Sequence, residues 1–386
     1  LSDTQINDEA AIIIAKSLKK KFFKLSKLRL AFHNCHQITS EGASKLTQAI
    51  GEHLVNLQQL SISFVKCEKI SNNGRELFVT ASNLKELQLD LNKCEKIGNQ
   101  DLLALANSFQ NHFYNLQRLS LNLSFCPQIG DDGIIAFSQS LSGKNLKQLS
   151  HLFLNLENCK EISDYGASKL AKNIRSFTYL QDLELNLQKC NKIGNKTLTE
   201  LGNSLQDLIN IEKLQLYLNC CQAIDDEGLL NLSMGIAHQQ KNLKKFTFHL
   251  ASSTEVKDPG IQVFTKNISQ NLVNLQNLNL NFAFGEHITD RGVEAIGRNI
   301  GQNLLNLEEF TLNLDHCGEI TGRGLELFSK NIGRNSFKKL HKLHLNFNGL
   351  RHFDDSAIMT CAENISQFSV SLKDLSLNIS KSNFQK

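Results

Sequence analysis

The chain of 386 residues is poor in several things, and each shortage excludes something. Tryptophan is absent and proline occurs only at Pro127 and Pro259, so no proline-rich linker or polyproline ligand is present. No run approaches the length of apolar sequence that a membrane-crossing helix needs. The opening residues show no basic stretch leading into an apolar core, so no secretory leader is read there. Forty-two basic against 38 acidic residues leave a net charge of +4, which implies neither a nucleic-acid groove nor an acidic tail. Patterns for phosphate loops, dinucleotide folds, nucleophile elbows, zinc helices and calcium loops are missing. No catalytic constellation is read, and no cofactor or metal is expected. Six N-x-S/T sequons, at Asn122, Asn195, Asn231, Asn267, Asn364 and Asn378, are what an Asn-rich chain shows by chance.

Leucine and asparagine are abundant, together about a quarter of the residues, a bias typical of repeats. The pattern L-x-x-L-x-L-x-[LFI] starts at Leu25, Leu57, Leu84, Leu116, Leu149, Leu180, Ile211, Leu243, Leu275, Leu307, Leu340 and Leu372. The spacings are 31 to 33 residues except one of 27. Thirteen residues after each start but the last stands a second apolar anchor, from Ile38 to Phe353. A constant period of this length marks a solenoid, whose units bury their apolar faces only against neighbours.

Within a unit, the alternation Leu183-Glu184-Leu185-Asn186-Leu187 has period 2 and predicts a strand. The remainder predicts a helix. Its N-cap is Thr39, Ser71, Ser163, Asp225, Thr289, Thr321 or Asp354 in seven units and Gly98, Gly130 or Gly194 in three, with Lys257 the exception. An acidic residue often follows (Asp131, Asp226, Asp258, Asp290), where it would compensate the helix dipole. Glycine three residues past the cap, as at Gly42, Gly133 and Gly292, would let the helix start approach the strand layer. Parallel strands sit about 4.8 Å apart and helices about 10 Å. Stacking them therefore predicts one horseshoe-like α/β domain over residues 1–386, about twelve repeats with the sheet concave and the helices convex. Asn7 and Asp8 fall in the register of a cap and helix start, so the chain is expected to begin mid-repeat and to be open at both ends.

These units resemble leucine-rich repeats of the ribonuclease-inhibitor type, and their Cys and I-[TSD]-x-x-G segments are similar to the cysteine-containing repeats of F-box proteins. Asn-rich strands such as Leu275 to Phe282 (LQNLNLNF) resemble the leucine-rich repeat proteins expanded in ciliates, some of which carry a kinase domain elsewhere. The resemblance implies a non-enzymatic protein-interaction scaffold in a large intracellular assembly, in the cytoplasm and in a ciliary or cytoskeletal setting. The alternatives it implies are the substrate-recognition arm of an F-box-type ubiquitin ligase, or the repeat region of a kinase or GTPase regulator.

Eight of ten cysteines stand ten residues after a start (Cys35, Cys67, Cys94, Cys126, Cys159, Cys190, Cys221, Cys317). Equivalent positions in stacked repeats point the same way. They cannot converge on a tetrahedral metal or pair as disulfides, so buried, reduced thiols are expected. His33-Asn34-Cys35-His36 could suggest a metal site, but His33 is read on the sheet surface and Cys35 toward the core.

Positions four, six and eight after each start face the concave side. Of these 36 side chains only Arg29, Asp90, Glu157, Glu184 and Asp315 are charged. Position six carries Asn122, Asn155, Asn186, Tyr217, His249, Asn281, Asn313, Asn346 and Asn378, the expected partner-binding row. Its amides either hydrogen-bond along the ladder or present a binding face. Other proteins are the expected partners, not nucleic acid or membrane. A basic run with Lys19, Lys20, Lys21 and Lys24 offers a docking point for an acidic protein surface such as a tubulin tail.

Overall fold

A computed structural model describes residues 6–22, 24–71, 83–141, 146–238, 242–333, 337–350, 355–367 and 371–381, with backbone alone at 19–21, 350 and 380–381. Residues 72–82 of the 27-residue repeat and the expected anchor and cap Phe353 and Asp354 lie outside the described residues. The chain divides into two compact units, Leu1–Lys192 and Ile193–Lys386.

The first unit runs α1 (Asp8–Lys21), β1 (Lys27–Ala31), α2 (Ser40–His53), β2 (Gln59–Ser63), β3 (Glu86–Asp90), α3 (Asn99–His112), β4 (Arg118–Asn122), α4 (Asp131–Leu141), β5 (His151–Asn155), α5 (Asp164–Ile174) and β6 (Asp182–Asn186). The six strands pair in parallel and in chain order without a register shift. The second unit runs α6 (Asn195–Asp207), β7 (Lys213–Tyr217), α7 (Asp226–Ala237), β8 (Lys245–His249), α8 (Asp258–Asn271), β9 (Asn277–Asn281), α9 (Asp290–Asn303), β10 (Glu309–Asn313), α10 (Gly322–Gly333), β11 (Lys342–Leu350), α11 (Asp355–Ser366) and β12 (Asp374–Lys381). Its strands are again parallel and sequential. This is the leucine-rich α/β solenoid expected from the period.

Strand residues alternate half-buried and buried, so Leu183 and Leu185 point into the core while Glu184 points out. Core layers are filled by the second anchors, Ile129 and Ile162 among them, and by the inner helix faces. The divergent unit starting at Leu243 repacks with aromatics: the Phe248 ring lies 4.8 Å from Phe264, and Phe282 joins them. Among the described residues no helix is long and apolar enough to cross a membrane.

The helix starts follow the expected caps. Asn7, Thr39, Ser163, Asp225 and Thr289 each accept a backbone N–H of the first turn. At Gly98 the Asp101 carboxylate reaches back to the cap N–H at 2.9 Å. Lys257 caps nothing with its side chain, and Pro259 in the first turn removes one donor that would need satisfying.

The acidic residue after the cap does more than face the dipole. Asp258 Oδ1 accepts the backbone N–H of Thr289 in the next repeat at 2.8 Å and Oδ2 accepts its hydroxyl at 2.6 Å. Asp8 holds Thr39 and Asp290 holds Thr321 in the same way. This clamp also corrects the reading of the recurrent glycines. A Cβ at Gly133 would stand 2.6 Å from Asn99 Oδ1, and one at Gly292 would meet Asp258 Oδ1. The glycine makes room for the preceding repeat's clamping side chain, not for the strand layer.

Nine residues after each start but the last the backbone turns left-handed. Asn34, Lys66, Lys93, Phe125, Asn158, Lys189, Cys220, Ser252, Phe284 and His316 have φ between 54° and 63°, and Gly349 has φ 78°. Ten non-glycine residues in this region are costly, at about 1 kcal/mol or more each. Lateral hydrogen bonds hold them there. The N–H of Phe125 donates to Glu157 O at 2.7 Å and that of Phe284 to Asp315 O at 2.7 Å, so the backbone ladder continues past the strand end.

Candidate protein-interaction face

Register places the expected row side by side within each unit. Asn122 pairs with Asn155 and Asn155 with Asn186 in the first. In the second, Tyr217, His249, Asn281, Asn313, Asn346 and Asn378 follow one another across six strands. Most are half-buried; Asn186 is 9% exposed and Asn378 lies open.

The amides do not bond to one another along the ladder. Each side-chain carbonyl instead accepts the backbone N–H two residues on: Asn155 Oδ1 from Glu157 N at 3.0 Å, Asn281 from Ala283 at 3.0 Å, Asn313 from Asp315 at 3.0 Å and Asn346 from Asn348 at 3.1 Å. Asp90 does the same for Asn92. This turn closes the strand just before the left-handed residue, which is why short Asn or Asp recurs there. Among the described residues the Nδ2 groups of Asn155, Asn281, Asn313 and Asn346 have no protein acceptor, so the row presents donors outward.

Tyr217 and His249 interrupt the amides with an edge-to-face pair at 4.9 Å. Burial holds the His249 imidazole below its ordinary pKa, with a hydrogen bond to Asn279 opposing the shift. On β11 His344 Nε2 lies 3.0 Å from Asp374 Oδ2 of β12.

The partner-binding row expected from the sequence leaves out the positions two residues after each start. Glu86, Arg118, His151 and Asp182 stand in register there, on the same exposed face. Extending the period-2 alternation one step toward the strand start finds them. Together with Gln88, Ser120, Phe153 and Glu184 they line a hollow on β3 to β6. Of the basic run, Lys24 is exposed, while the side chains of Lys19, Lys20 and Lys21 lie outside the described residues.

The thiols form a ladder with a specific bonding pattern. Cys94 Sγ donates to Phe64 O at 3.0 Å, Cys126 to Leu91 O at 3.3 Å, Cys159 to Leu123 O at 3.2 Å and Cys190 to Leu156 O at 3.2 Å. Each bond reaches the preceding repeat. Cysteine suits this place because it combines small apolar volume with a weak donor. In the unit starting at Leu243 Ser253 stands at this place instead of Cys, with its hydroxyl 3.5 Å from Cys221 O. All ten thiols are free, and all but half-buried Cys220 are buried. Burial pushes Cys94, Cys159, Cys190 and Cys317 up to about 12 and Cys67 and Cys361 up to about 11. His33 points away from Cys35 and meets Ser63 Oγ at 2.8 Å. Among the described residues no group of three His, Cys, Asp or Glu side chains is placed to hold a metal.

A leucine-rich repeat family model matches residues 119–138 and 212–233, and both segments end at the same place in the unit, inside α4 and α7. No curated protein sequence matches the chain. Among solved structures, one in the crystal structure of the yeast Rad7 and Elc1 complex is 18% identical, covers 93% of this chain and 81% of its own, and has a TM-score of 0.44. A leucine-rich repeat protein of Leptospira interrogans is 18% identical, covers 95% and 93%, and has a TM-score of 0.31. The matched segments, the constant period and the in-register parallel strands give this chain the fold of a leucine-rich-repeat α/β solenoid.

Proposed function

We propose that the chain is a non-enzymatic scaffold that holds another protein against the exposed strand rows, as one subunit of a larger assembly. The observation that carries this reading is the amide row. Its carbonyls are spent on local turns while its Nδ2 donors face outward in register. A partner's backbone or side-chain acceptors can satisfy several at once, and a sheet fixed on its other face by a packed core is preorganised for that.

The test is affinity purification with mass spectrometry from the native source, comparing the parent with a variant carrying Asn281→Arg and Asn313→Arg. These neighbours pair across β9 and β10, so two long cations there block a seated partner. Loss of one specific protein from the variant supports the reading. Equal recovery from both refutes it and moves the contact to the helices. Recovery of ubiquitin-ligase adaptor subunits would instead favour the substrate-recognition arm.

A further inference from the structure

We propose that the hollow on β3 to β6 is a pocket for an arginine side chain presented by an extended segment of a protein partner, an inference that rests on the interaction reading above. The pocket lies wholly in the first unit. Phe153 lines it, the one aromatic among Arg29, Ser61, Gln88, Ser120, Phe153 and Glu184 in that strand row. Ser120 stands beside Phe153 in register and is too short to cover the ring, while Glu184 flanks it on the other side. The wall above is Glu86, Arg118, His151 and Asp182. Three carboxylates and one guanidinium line the hollow beside an aromatic ring, so its charge balance favours a cation.

Size and shape select which cation. The hollow has about 100 Å³ of room, enough for the end of one side chain and well below a small-molecule site. A guanidinium is planar and weakly hydrated, so it lies flat on an aromatic ring and still donates in its own plane to carboxylates at the edge. A lysine ammonium is a compact, strongly hydrated charge that gains less from both contacts. The walls are also prearranged: Gln88 Nε2 holds Glu86 Oε1 at 2.9 Å, and Ser150 Oγ meets His151 Nδ1 at 2.8 Å. A second hollow shares Gln88, Ser120 and Phe153 and runs on toward Ser61, Ser63 and Asp90. That continuation gives the flanking residues of an extended segment a polar track across the strands, where Asp90 and Arg29 add one charge of each sign.

The experiment is selection of a displayed random dodecapeptide library on the parent protein and on Phe153→Ala, Phe153→Tyr and Glu184→Gln variants. Far-UV circular dichroism and urea midpoints confirm that each variant is folded, and half-exposed Glu184 serves if Phe153→Ala does not fold. The parent and Phe153→Tyr should enrich arginine-bearing peptides, whereas Phe153→Ala and Glu184→Gln should lose that bias. The best peptide should bind at least about tenfold more weakly after Arg→Lys replacement, and raising salt should weaken it as expected for charge pairing. Enrichment without arginine bias, a bias that survives both disabling variants, or no enrichment at all overturns the pocket. None of these touches the purification experiment with the Asn281 and Asn313 variant, so the pocket and the scaffold reading can fail separately.

Discussion

Replacing Gly292 by Ala should destabilise the protein, although the same change in an ordinary helix interior stabilises by about 1 kcal/mol. The new Cβ at the third position of α9 would meet Asp258 Oδ1, with Ile288 Cγ2 next at 3.2 Å. The Asp258 carboxylate cannot easily retreat, because it is bonded to both the N–H and the hydroxyl of Thr289. Overpacking of this kind costs about 1 to 3 kcal/mol, so after the propensity gain the net loss should be up to about 2 kcal/mol. Asp258→Ala alone removes two charge-assisted hydrogen bonds at a partly buried site and should cost about 2 to 3 kcal/mol. In that background the obstruction has gone, and Gly292→Ala should become stabilising by up to about 1 kcal/mol. The double-mutant cycle therefore carries a coupling of about 2 kcal/mol with a reversal of sign. Urea unfolding of the four proteins measures it, with hydrogen exchange at the Thr289 amide as a local readout. Additive costs, or a stabilising Gly292→Ala in the parent, would refute the clamp.

Three further outcomes are expected. The buried thiols ionise from about 9 in the unfolded chain but only near 11 to 12 when folded. The unfolded state thus loses protons first, and stability should be flat below pH 9 and fall through the window from 9 to about 12, by about 1.4 kcal/mol per pH unit for each thiol. Urea midpoints from pH 8 to 11 check this, and Cys159→Ser should remove one proton's worth of slope. Lys66, left-handed at φ 58°, should gain about 1 kcal/mol as Gly and lose stability as Val, read from denaturation midpoints. Leu185→Ala in the core should cost about 2 to 5 kcal/mol, against about 1 for Asn186→Ser, which loses one bond to Gln188 N; equal costs would reverse the facing.

Much of this architecture is legible in the residues themselves. Leucines at period 2 within a period of about 32 define both the strands and which side they bury, because burial of those side chains is what the alternation encodes. Caps such as Thr39 and Ser163 are equally local, since an oxygen two or three bonds from its own backbone needs no distant partner. The Asn row could be placed on the exposed face, but its use could not. Whether an amide serves its own turn or its neighbour's depends on the backbone geometry after the strand.

Tertiary structure alone decided the rest. Nothing in Lys93, Phe125 or Ser252 announces a left-handed residue; the lateral hydrogen bonds of stacked neighbours impose it. The role of Asp258 and the need for Gly292 belong to a pair of repeats, because the carboxylate of one occupies the space that the glycine of the next leaves open. The hollow around Phe153 arises the same way. Four strands, each ordinary in sequence, bring Glu86, Arg118, Ser120, Phe153 and Glu184 together only because parallel pairing sets them in register. In a solenoid the period is written into each unit, but every site is made by the contact between units.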